Sequence, residues 1–283
     1  MKKVSALCII LSFVAFKSFS QGLIDGFVHG KGKTDVVVSY TNEHYDQFYL
    51  GKDKVDLSAT GLKKIIIQSV NLYAVHGISD KLDIILNVPY IAAQSDVIKD
   101  GSTVKESNLQ NASLFLKWRP IYSEGDKGAF SLILGAGVST PLSGYKTNVI
   151  YAIGNQATSV EGDVLVQYMF KAGFFANIRG GYSLKNNQVP NAALLSAKIG
   201  YAGAHFYVDG WIAQQLSNGG IDITDSSFTP DKFPQTQVNT TRLGLSVYIP
   251  LVEHVGITFG AGTQLDGRNS GKATALSLSL IHI

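Results

Sequence analysis

The chain has 283 residues, of which 45% are hydrophobic and 16% charged, a balance that excludes an intrinsically disordered protein. Its formal charge of +3 resides in the first twenty residues, which carry Lys2, Lys3, Lys17 and no acid; beyond them 21 basic residues face 21 acidic ones. With no basic excess to displace counterions from phosphate, nucleic acid is not expected as a partner.

Residues 1–20 read as a secretory signal peptide: Met1-Lys2-Lys3 is a positive start, Val4 to Phe16 is predominantly apolar, and Ser18 and Ser20 are small residues before a cleavage point at Gln21. The apolar stretch is too short for a spanning helix, which needs about 20 residues. Cys8, the only cysteine, lies within it, so the mature chain is expected to have no disulfide and no thiolate chemistry. Residues 21–33, with Asp25 and His29, fall outside every periodic pattern. They are expected to form a short periplasmic segment, either a disordered tail or one that enters the lumen from below.

From residue 34 onward the sequence alternates with period two. Phe130, Leu132, Leu134, Ala136 and Val138 share one face, opposite Ser131, Gly135 and Ser139; Val160, Val164, Val166 and Phe170 oppose Glu161, Asp163 and Gln167. Such strands have one apolar and one polar side. Twelve candidates begin near Thr34, Lys64, Leu82, Leu109, Ala129, Val160, Phe174, Ala192, His205, Val238, Val255 and Ala273. Each offers about 9–11 residues, the length of a tilted strand crossing a bilayer. Short connections, such as Gly77-Ile78-Ser79-Asp80-Lys81 and Lys171-Ala172-Gly173, alternate with longer polar stretches at 42–61, 95–107, 141–157 and 217–237. Trp118, Phe130, Phe170, Phe174, Tyr201 and Phe206 flank the short turns on the apolar parity, and Tyr40, Tyr90 and Tyr182 lie near the other ends. These resemble two aromatic girdles. The fold class expected is all-β, a transmembrane antiparallel up-and-down barrel of about 12 strands over 34–283, in the outer membrane of a Gram-negative cell. Its partners are then outer-membrane lipid, the barrel-assembly machinery and a small-molecule solute. Nothing in the sequence sets an oligomeric state.

Tyr73-Ala74-Val75-His76-Gly77-Ile78-Ser79-Asp80-Lys81-Leu82, followed by Asn87-Val88-Pro89-Tyr90, resembles the outer-membrane family named for the meta pathway of phenol degradation, with Ser79 for Thr and Lys81 for Arg. Ala112 to Arg119 resembles the family's Leu-x-x-Lys-Tyr-Arg strand. Gly137 to Tyr145 is similar to its Pro-Thr-Gly strand end, with the order altered. The resemblance implies an outer-membrane barrel of uptake or channel type, passing small solutes that the family name suggests are apolar or aromatic. It brings no catalytic residues and no cofactor.

The polar parity supplies the candidate lumen-lining residues: Asp35, Asp83, Glu161, Asp163 and Asp209 against Lys117, Arg119, Arg179, Lys198 and Arg242. Set on opposing walls they would form a transverse field selecting solutes by sign and size; paired, they would close the interior. The alternative function is therefore a structural or surface-interaction barrel with a closed, ion-paired lumen. An enzyme is not expected. None of the six histidines belongs to a recognisable catalytic motif, and the cluster Glu43, His44 and Asp46 reads equally well as a solvated loop. Asp222, Asp225 and Asp231 match no calcium-loop spacing, so no metal site is expected.

Overall fold

The computed structural model describes residues 23–283; the expected signal peptide at 1–20 lies outside the described residues. Twelve antiparallel strands form the wall. They are β1 (Thr34–Tyr45), β2 (Leu62–Ser79), β3 (Leu82–Val97), β4 (Asn111–Glu124), β5 (Gly128–Pro141), β6 (Ser159–Phe170), β7 (Phe174–Lys185), β8 (Asn191–Ala202), β9 (Tyr207–Asn218), β10 (Asn239–Val252), β11 (Val255–Arg268) and β12 (Thr274–His282). Each strand pairs with its neighbours in sequence. β12 closes on β1, with Val36 opposite His282 and Tyr40 opposite Leu278, so the sheet has no free edge. Closure satisfies the backbone within the wall, as a barrel in lipid requires.

Every strand begins within two residues of its expected start. All the strands but β12, which has 9 residues, run longer than expected, reaching 18 residues in β2. Polar stretches continue the ladder past the apolar band, as where Thr103–Leu109 adds to β3 before β4 begins. One end of the barrel carries only tight turns together with both ends of the strand array. The other carries the loops 46–61, 98–110, 142–158 and 219–238. The expected alternation of short and long connections is incomplete, because 186–190 and 269–273, also at the loop end, are short.

The two faces separate as the alternation demands. Val36, Val38, Leu114, Leu116, Val164, Val166 and Ile178 point outward and are exposed, while Asp35, Asp83, Lys117, Asp163 and Arg179 point inward and are buried. Trp118, Phe130, Phe170, Phe174 and Phe206 ring the outside near the turns, and Tyr40, Tyr90 and Tyr182 lie on the same surface near the loops. Tyr201 sits between Phe174 and Phe206, with ring centroids 5.1 and 5.3 Å away. An apolar band bounded by aromatic rings is the exterior of a lipid-embedded barrel. Among the described residues no helix is long and apolar enough to cross a membrane, and the strands make the span.

Candidate functional site

Before β1, the chain runs inside the barrel. Residues 23–33 occupy the half of the lumen near the turns, where Ile24, Asp25, Phe27 and His29 are buried. Residues 23–33 thus lie along the lumen and not as a free tail. The wall accommodates it with apolar side chains on the otherwise polar parity: Tyr73, Ile85, Phe115, Ile133, Leu165 and Phe175 join Ile24 and Phe27 in one cluster. Phe27 meets Phe175 edge-on at 5.5 Å and Tyr207 at 6.3 Å. Burying Ile24 and Phe27 contributes about 1.5–3 kcal/mol each.

A charge network completes the anchorage. The His29 ring nitrogens stand 3.0 Å from Asp35 and 3.0 Å from Asp83. Both can donate to carboxylates only in the imidazolium form. Asp83 also lies 3.1 Å from the Lys117 ammonium, which reaches Asp25 at 3.0 Å and donates to the Phe27 carbonyl. Lys117 and Asp83, cross-strand neighbours on β4 and β3, are 0% exposed. Gln167 Nε2 donates to the Gly26 carbonyl at 2.9 Å. Where the segment leaves the lumen it lies against β2. Gly32 donates to the Gly77 carbonyl at 2.7 Å, Gly77 donates to Lys33 at 2.9 Å, and a Cβ at Gly77 would fall on the Gly30 carbonyl.

The remaining candidate residues form shorter pairs. Arg179 on β7 binds both acids of β6, with Nη2 2.6 Å from Glu161 and from Asp163. Lys198 on β8 pairs with Asp209 on β9 at 3.0 Å, and the Tyr207 hydroxyl donates to Asp209 at 2.7 Å. Arg242 on β10 reaches Glu43 on β1 at 3.1 Å. The charges therefore stand as close pairs, three of the four clusters joining adjacent strands, and not as opposing rows that set up a transverse field. Arg119 lies apart from the rest, at the turn-end rim. There it donates to the Asp80 carbonyl at 3.0 Å and packs 4.6 Å from the centroid of the Tyr122 ring. The sequence cluster of Glu43, His44 and Asp46 does not assemble, because alternation sends Glu43 inward to Arg242 and leaves His44 on the other face.

Above the segment lies a cavity of about 560 Å³, extending from Leu23 and Phe115 to Gln110, Lys185 and Val238 near the loop end. Ordered loops cover that end. Tyr145 and Ile153 of 142–158 pack on Ile91 and Ala93, and the Tyr145 hydroxyl donates to Asn111 at 2.9 Å. Asn269 binds Gly51 and Gln237, each at 2.9 Å, so three loops share one side chain. Arg268 Nε donates to Asp222 at 2.7 Å. Burial opposes ionisation of Asp222, but the hydrogen bonds from Arg268 and Thr224, together with the Arg268 charge, outweigh it and hold the carboxyl below its ordinary range.

No protein-family model matches this chain, and no curated protein sequence matches it. Solved structures do. The COG4313 outer membrane channel from Pseudomonas putida F1 is similar over 92% of this chain and 99% of its own, with a TM-score of 0.70 at 14% identity. The fold is that of an outer-membrane β-barrel. The KdgM porin is similar over 87% of this chain and 98% of its own (TM-score 0.51, 7% identity). The NanC porin is similar over 89% of this chain and 100% of its own (TM-score 0.50, 9% identity).

Proposed function

We propose that the protein is an outer-membrane channel for passive passage of small solutes, and that residues 23–33 close it in the state described here. After loss of the signal peptide at 1–20, the barrel sits in outer-membrane lipid, delivered there by the assembly machinery. The charged inward residues, Arg119 at the rim excepted, line and brace the lumen. No catalytic role is assigned to any of them.

One observation carries this reading: the lumen is stopped by a segment outside the wall, held through side chains and a few strand-edge bonds, with a cavity directly above it. Such a stop can withdraw without breaking the closed ladder of the barrel. The resemblance to the phenol-pathway family suggests apolar or aromatic solutes for the route. A second reading, a structural or surface-interaction barrel, draws support from the filled turn half and from the tied loops.

Proteoliposome swelling separates the two readings. Vesicles carrying a variant without residues 23–33 should swell in small solutes faster than vesicles carrying the full chain. Equal, background-level swelling by both, with heat-modifiable gel mobility reporting a folded barrel, would favour the structural reading.

A further inference from the structure

The cavity wall is mixed, with Phe115, Leu194, Leu195 and Val238 set among hydrogen-bonding side chains. Ser39, Asn71, Asn87, Ser113, Gln215 and Thr240 present hydroxyls and carboxamides to it. Asn71 Nδ2 donates to Asn87 at 2.8 Å, while the Asn71 Oδ1 atom is buried without a hydrogen-bond partner among the described residues. An acceptor in that position is costly unless something donates to it. Of the charged residues that line the cavity, Arg179, Lys185 and Arg242 are cations and Glu161 is an acid; Arg179 is shared between Glu161 and Asp163, and Arg242 is held by Glu43.

We infer that this cavity is a binding site for a neutral polyhydroxylated solute of mono- or disaccharide size. Such a molecule exchanges its hydrogen bonds to water for bonds to the wall. An apolar molecule would displace water from the same groups and return nothing, at a cost for every amide and hydroxyl left bare. An anionic solute would have to compete for Arg179 and Arg242 with the carboxylates that already hold them. The volume of about 560 Å³ falls in the range of small-molecule sites, about 300–1,000 Å³. The inference rests on the channel reading, since it names what that channel takes, but binding is measurable without passage.

Isothermal titration of the refolded full chain in detergent provides the test, with sucrose, glucuronate and phenol as probes. Sucrose should bind saturably, and more tightly than glucuronate or phenol. Asn71→Leu should weaken sucrose about tenfold, the loss of one or two neutral hydrogen bonds. Gln215→Leu should act in the same direction and serves if the Asn71 variant does not refold. Saturable phenol binding without sucrose binding would overturn the inference in favour of an apolar site, and tighter glucuronate binding would overturn it in favour of an anion site. Current through the variant lacking 23–33 keeps the two claims apart. Steps that sucrose neither blocks nor modulates, together with no heat of binding, remove the ligand class and leave the channel. Sucrose binding to a barrel that carries no current keeps the site and removes the channel.

Discussion

Lys117→Met tests whether the charge network holds the N-terminal segment in place. Lys117 is 0% exposed and shared between Asp25 of the segment and Asp83 of the wall. Its removal leaves His29 as the single cation among Asp25, Asp35 and Asp83. Deleting one partner of a buried pair costs about 3–5 kcal/mol, because the remaining charge is neither solvated nor paired. That cost falls on the seated state alone, since withdrawal of the segment admits water to the wall carboxylates. At about 1.4 kcal/mol per factor of ten, the ratio of seated to released segment should fall by about two to three and a half orders of magnitude. Burial of Ile24 and Phe27, at about 1.5–3 kcal/mol each, still opposes release. Chymotrypsin cleavage after Phe27 reads the released population when opening is fast relative to cleavage. It should rise by that same factor, about two orders of magnitude or more, until cleavage saturates, while the barrel keeps its heat-modifiable mobility. Adding Asp25→Asn and Asp83→Asn should restore protection, because Lys117 is then removed together with both of its carboxylate partners, while His29 stays paired with Asp35. Unchanged cleavage in the single variant, with the barrel folded, would refute the reasoning.

Further outcomes follow from other parts of the molecule. Gly77→Val places a side chain against the Gly30 carbonyl and should raise cleavage after Phe27 without unfolding the wall. Ile178→Arg, at an outward position 69% exposed in the middle of β7, should cost about 2–4 kcal/mol in lipid vesicles by urea titration. No cost there would mean that this face does not meet lipid. Arg179→Ala leaves Glu161 and Asp163 unneutralised beside the cavity, so current through the variant lacking 23–33 should shift toward cations; an unchanged reversal potential would exclude Arg179 from the conducting path. The Asp222 carboxyl titrates lower in the folded protein than its unfolded value of about 3.9. Its contribution to loop docking is therefore complete above that value and lost as pH falls through the folded one. Hydrogen exchange in 219–238 should accelerate below about pH 4, and Asp222→Asn should remove that pH dependence.

Much of the wall was legible because period-two alternation is a local signal. Each strand declares its lipid face with residues such as Val164 and Val166, and turns as short as Asp80-Lys81 fix where it begins. Strand length was less legible, since Thr103–Leu109, which pairs with β3, is mostly polar on both of its faces and carries little alternation contrast. The segment at 23–33 has no period, and its partners Asp83, Lys117 and Gln167 lie 54–141 residues away from His29, Phe27 and Gly26. One trace of it was present. Ile85, Phe115, Ile133 and Leu165 sit on the polar parity, where an apolar residue needs an apolar cover, and Ile24 and Phe27 supply it. The ten charged candidates were found by the same parity. Their pairing was not, because which neighbour each side chain reaches depends on the register between strands, as Arg179 shows by reaching Asp163 diagonally across β6 and β7.

Single-channel recording in planar bilayers, with the full chain beside the variant lacking residues 23–33, bears most directly on the claim that this barrel is a channel stopped by its own N-terminal segment. A channel stopped in this way gives a nearly silent full chain with brief openings, and sustained discrete steps from the shortened one. A shortened barrel that is folded and inserted, yet as silent as the full chain, would contradict that claim.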